Sequence, residues 1–201
     1  MNEAKIQLSP EELDLVENGD WILTKNTIIS KVYLLFGNLA EKMKVKLDCI
    51  NSPDLTNKTN PKISKGENYN GLPYVILDYP RIFLKEDIFA IRTLFWWANY
   101  FSVTLHLKGS YKDLFIERIK ENRALLAEKD FYISISGDEW MHELDLKNYL
   151  PLSLTDRDTF EDISCRHSFL KISVKFDLNR WNESETLLIN AFTNLLQSLG
   201  F

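Results

Sequence analysis

His106, Tyr132 and Ser134 come nearest to a catalytic arrangement in this sequence. His106 belongs to a run in which Phe101, Val103, Leu105 and Leu107 alternate with Ser102, Thr104, His106 and Lys108, so its imidazole stands on the polar face of an amphipathic strand. Phe131, Ile133 and Ile135 alternate with Tyr132, Ser134 and Ser136 in the same way. Were the two strands adjacent, a histidine would stand among hydroxyls, the composition of a general base with its partners. A hydrogen-bonded sheet histidine accounts for the same residues.

A second group could hold a small anionic or apolar ligand. Arg92 lies in the most apolar stretch, Ile88 to Ala98, where an unpaired guanidinium is costly, so it should meet a carboxylate, with Asp78 ahead of Asp87. Otherwise Arg92 and Arg81 offer two forks to an anion. Trp96 and Trp97 are adjacent, and on a helix they would point about 100° apart. Both are then buried only if that helix is enclosed on two sides. If it is not, one of them lines an apolar pocket or a subunit contact, and the expected assembly is a homodimer.

Other candidates are weaker. Cys165 and His167 would share one face of a strand, but i, i+2 neighbours seldom hydrogen-bond each other directly. Asp138, Glu139, His142, Glu143 and Asp145 in GDEWMHELD gather oxygen and imidazole donors at a spacing that matches no ligand pattern, so an acidic solvated loop is expected, with no metal and no cofactor.

The elements that must position these residues belong to one domain spanning the 201 residues, since nothing in the middle reads as a boundary. With 45% hydrophobic, 26% charged and 12% aromatic residues, the chain has the material for a bulky core, and a net charge of −5 argues against nucleic acid as partner. The N-terminal MNEAKIQLSPEE has neither a basic nor an apolar leader region, and two widely spaced cysteines fit reduced thiols, so a cytoplasmic protein is expected. Ile88 to Leu107 has about the length of a membrane span, but Arg92, Asn99 and His106 interrupt it, and a core helix running into a core strand explains it at no such cost.

Ser9-Pro10-Glu11-Glu12 marks a helix start, and Ile28, Val32, Leu35, Leu39 and Met43 form the stripe of a long helix over about 27–45. Residues 51–71 and 137–168 read as long irregular segments, the second with a short helix near 156–163. Ile88 to Ala98 reads as a buried helix. Ser110 with Asp113 is expected to cap a helix running to about Glu128, so that strand, helix and strand make a parallel crossover. Leu170, Ile172, Val174 and Phe176 mark a third half-buried strand, and Asn182 with Glu185 opens a terminal helix. The expected fold is α+β, a two-layer mixed sheet with helices packed on one face.

The order of these elements, with an opening SPEELDLV helix, an LPYVIL strand after a long loop, and a late FLKISVKFDLN strand leading into a terminal helix, resembles the YktB-like family of uncharacterised bacterial proteins. The resemblance implies an α+β fold and no chemistry. The functional expectation is a soluble binding or interaction protein without catalytic activity; the alternative is a small enzyme using His106, Tyr132 and Ser134.

Overall fold

In the computed structural model, which describes residues 6–50 and 59–201, the first helix starts where its capping residues place it. The Glu12 amide donates to the Ser9 hydroxyl at 3.2 Å and the Ser9 amide donates to the Glu12 carboxylate at 2.7 Å, a closed capping box with Pro10 as first helical residue. This helix, α1 (Pro10–Glu17), buries none of its residues. Asn18 accepts from the Trp21 amide and caps α2 (Gly19–Asp48), which begins earlier and ends later than its apolar stripe. Burial along α2 begins only at Ile29 and continues through Val32, Phe36, Leu39, Met43 and Leu47, at helical spacing.

Strand β2 (Leu72–Phe83) forms where LPYVIL predicted one, and it pairs in a hairpin with β1 (Lys62–Tyr69), which lies in what the sequence suggested was a loop. Its turn is Asn70-Gly71, whose φ angles of 50° and 80° are the positive pair that a two-residue hairpin loop requires. The expected 51–71 loop thus shrinks; residues 51–58 lie outside the described ones. Next comes β3 (Ile88–Trp96), a strand where a helix was expected. It lies centrally and is buried on both faces, and a strand in that position is apolar without alternation, which periodicity cannot distinguish from a buried helix.

The chain continues through β4 (Tyr100–Lys108), α3 (Ser110–Glu121), α4 (Arg123–Ala127), β5 (Tyr132–Ser134), β6 (Tyr149–Pro151), α5 (Arg157–Arg166), β7 (Phe169–Asp177) and α6 (Ser184–Ser198). The Ser110 cap is replaced: the Ser110 amide and hydroxyl both donate to the Asp87 carboxylate, each at 2.7 Å. Asn182 falls in a 3-10 turn before α6, which starts without a side-chain cap.

Among the described residues seven strands make one sheet in the order β1-β2-β3-β4-β7-β5-β6. Its adjacent pairs are all antiparallel, which corrects the mixed sheet while leaving the α+β class intact. β4 and β5 do run in the same direction, as the expected crossover requires, but β7 is inserted between them and pairs with both. Val75, Leu77, Phe89, Ile91, Phe95, Phe101, Val103, Leu105, Ile133, Ile172 and Val174 share one core with residues of α2 to α6. A smaller cluster of Ile76, Leu94, Trp96, Tyr100, Leu144 and Tyr149 packs the opposite face under the chain of residues 137–148, hereafter the strap. Among the described residues no helix is long and apolar enough to cross a membrane.

Candidate functional site

Antiparallel register lines up the polar side chains of the strap-covered face in two cross-strand rows. One runs Asp78, Arg92, Thr104, Ser173, Tyr132; the next runs Arg81, Ala90, His106, Lys171. In the first, Arg92 Nε and Nη2 donate to Asp78 Oδ1 and Oδ2 at 2.8 and 2.9 Å, a two-pronged pair shielded from water, with the carboxylate that the sequence ranked first. The third nitrogen, Nη1, lies 2.9 Å from His142 Nε2. A guanidinium can only donate, so His142 Nε2 accepts and the imidazole is neutral with its proton on Nδ1. Beside them Thr104 and Ser173 hydroxyls share a hydrogen bond of 2.6 Å.

His106 is buried, its Nε2 3.9 Å from Glu139 Oε2 and its ring against the edge of Trp140. Burial, followed by the charges of Lys171, Arg92 and Lys108, holds its pKa down to about 3. Burial first, then Lys171, Arg92 and His106, keeps His142 well below the usual imidazole range. Lys171 is 1% exposed and donates to the Met141 carbonyl. Burial and then the Arg92 charge pull its ammonium down to about 7, partly offset by Asp138 and Glu139.

The strap is held through its backbone. Tyr149 donates to the Met141 carbonyl at 3.0 Å, Tyr100 donates to the His142 carbonyl at 3.0 Å and accepts from the Leu144 amide at 2.8 Å, Tyr69 accepts from the His142 amide at 2.9 Å, and Lys175 donates to the Leu144 carbonyl at 2.8 Å. Burial raises the pKa of Tyr69, Tyr100 and Tyr149, so these hydroxyls keep their protons. Beneath the strap Phe83, Arg92, Thr104, His106, His142 and Lys171 line a small cavity of about 10 Å³, the space of a single water.

The trio of His106, Tyr132 and Ser134 is therefore not brought together. β7 separates its strands by two sheet spacings, about 9.6 Å, and Lys171 stands directly beside His106. The two arginine forks are not assembled either: Arg92 is committed to Asp78, and Arg81 stands opposite Ala90 beyond an irregularity in the ladder. His167 stacks on Phe169 at 5.3 Å, and Cys165 is exposed at the end of α5. Among the described residues no cluster of three or more His, Cys, Asp or Glu could hold a metal ion.

The two tryptophans part company where the strand ends, Trp96 as the last residue of β3 and Trp97 as the first of the turn into β4. Trp96 enters the strap-side cluster, its Nε1 donating to the Tyr69 carbonyl at 3.2 Å, with Tyr69 and Tyr100 rings edge-on at 5.1 and 5.5 Å. Trp97, half-buried on the helix side, stacks on Trp21 of α2 at 6.4 Å with the rings 15° from parallel. With Asn18, Asp20, Thr24, Lys25 and Ile28 they line a surface cavity of about 380 Å³, and Trp21 also walls a second of about 240 Å³ with Leu15 and Ile22. The hairpin of α1 and early α2 leaves Leu13, Leu15, Val16, Trp21, Ile22 and Leu23 exposed. The sequence did carry a signal for this face: Trp21-Ile22-Leu23 are consecutive, and Leu13, Leu15 and Val16 cannot share one narrow stripe.

No family model matches this chain, and the comparisons with curated proteins and with solved structures gave no match.

Proposed function

We propose that this is a binding or interaction protein that docks a partner on the apolar hairpin of α1 and early α2, with Trp21 and Trp97 at its centre. The observation that carries this reading is that α1 buries nothing while six large apolar side chains of the hairpin remain exposed. A chain gains nothing in its own stability from such a surface, and contiguous apolar patches of this kind mark interaction sites. Aromatic residues flanked by aliphatic ones are also the composition of interface hot spots.

The small-enzyme reading with His106 as base has less support, because its partners lie across an intervening strand and its cavity is of water size. The polar cluster ties the strap to the sheet through Lys171, Tyr69, Tyr100 and Tyr149, while His106 Nε2 and Ser134 Oγ are buried without a hydrogen-bond partner among the described residues. Nile red, a neutral dye that fluoresces in apolar surroundings, tests the docking face. The native protein should bind it, and Trp21→Glu should abolish the signal with the circular dichroism spectrum unchanged. Dye binding indifferent to Trp21→Glu would overturn the assignment of the face.

A further inference from the structure

Resting on that docking reading, we infer that the partner seated on the hairpin is a basic amphipathic helix of another protein. The first argument is charge. Glu11, Glu12, Asp14, Glu17 and Asp20 are the charged residues from 10 to 20, so acids alone surround the apolar side chains of α1, and Asp20 itself lines the larger cavity. The nearest base in sequence among the described residues, Lys25, lines the same cavity but is engaged by Glu67. Asp14 and Glu17 fall in the second half of α1, towards the negative end of the helix dipole, and the last turn holds no base to offset them. Helix stability does not account for them, whereas a cationic partner does.

The second argument is size. Leu15, Ile22 and Trp97 line two grooves that share Trp21 as a wall, a scale that one helix face can cover and well short of what obligate subunits bury. The cavities on either side of Trp21 offer two seats for anchor side chains of such a helix. A second copy of the chain would bring the same acids against these and pay like-charge repulsion around the contact. An anionic membrane surface is repelled for the same reason.

Two synthetic helical peptides of roughly 18 residues, one of Leu and Lys and one of Leu and Glu in the same amphipathic order, test this by tryptophan fluorescence. The Leu/Lys peptide should bind at 1:1 with a blue shift, lose roughly tenfold in affinity between low and high salt, and fail to bind Trp21→Glu. The double variant Asp14→Lys/Glu17→Lys, which removes no hydrogen-bonded side chain of the fold, should weaken the Leu/Lys peptide and admit the Leu/Glu one. Equal binding of both peptides, lost in Trp21→Glu, would leave the docking face standing and overturn the basic partner. Sedimentation of the chain alone as a dimer that Trp21→Glu disperses would make a second copy the occupant, and preferential binding to neutral vesicles would make it a membrane; either overturns the inference. If neither peptide binds and Nile red does not bind, both readings fall.

Discussion

Deleting the Asp78 carboxylate strands a guanidinium that cannot give up its proton. The Asp78 and Arg92 side chains are 9% and 15% exposed and joined by two parallel hydrogen bonds, so Asp78→Ala should cost about 3–5 kcal/mol, the range for removing one partner of a buried pair. Arg92→Met should cost less, about 1–3 kcal/mol, although it also breaks the bond to His142. The carboxylate left behind can take a proton, Lys62 stands opposite it in the ladder, and the thioether lies where the guanidinium faces the Phe83 and Trp140 rings. The double variant Asp78→Leu/Arg92→Met should return to within about 1 kcal/mol of the native protein. Urea denaturation of the four proteins gives the cycle, provided the m-values agree. Asp78→Ala within about 1 kcal/mol of the native chain, or less harmful than Arg92→Met, would refute the reasoning.

Val103→Asp or Ile172→Asp, at fully buried positions of the helix-side core, should unfold the protein, since the cost rivals the ~5–15 kcal/mol stability of a whole domain; a soluble variant with an unchanged melting temperature would contradict the packing. His106 has a folded pKa of about 3, below its unfolded one, so stability is present above about pH 6.5 and is lost as pH falls toward about 3, by up to ~1.4 kcal/mol per unit, with the lowered His142 acting in the same direction; His106→Leu should flatten the slope seen in denaturation midpoints. Lys171 acts at the other end: with its pKa lowered to about 7, its charged form is penalised in the fold, stability rises from pH 7 toward 10, and Lys171→Met should remove that rise. Tyr100→Phe takes away two bonds to the strap and should lower the protection of the Leu144 amide against hydrogen exchange without altering the helices.

Strands β4 and β7 were legible because alternation survives where the two faces differ in character, although the strap buries their polar faces too and they are not half-buried as expected. Phe101, Val103 and Leu105 on β4 and Ile172 and Val174 on β7 pack together as their patterns require, Val103 opposite Val174 and Leu105 opposite Ile172. β3 was not legible because the strap covers its second face, so Ile88–Trp96 shows no polar side, and it was the misread helix that made Trp96 and Trp97 look like neighbours on one curved surface. Asn70-Gly71 did signal the first hairpin, but the polar β1 before it carried no apolar alternation to confirm a strand. The Arg92 pairing was reached through a wrong element and a right energy: an arginine in that environment needs a carboxylate whether its backbone is helix or strand. His106 was correctly placed on the polar face, but sequence spacing could not show that β7 arrives from far along the chain to separate it from β5.

The claim that the hairpin is held open for a partner is tested most directly by the unfolding free energy of Trp21→Glu. Trp21 is 43% exposed and stacks on Trp97, and a glutamate in the first turn of α2 suits the helix dipole, so the change should cost no more than about 2 kcal/mol. A loss of about 3–5 kcal/mol, as for an aromatic in a packed core, would show that the chain itself uses this side chain and would contradict the account.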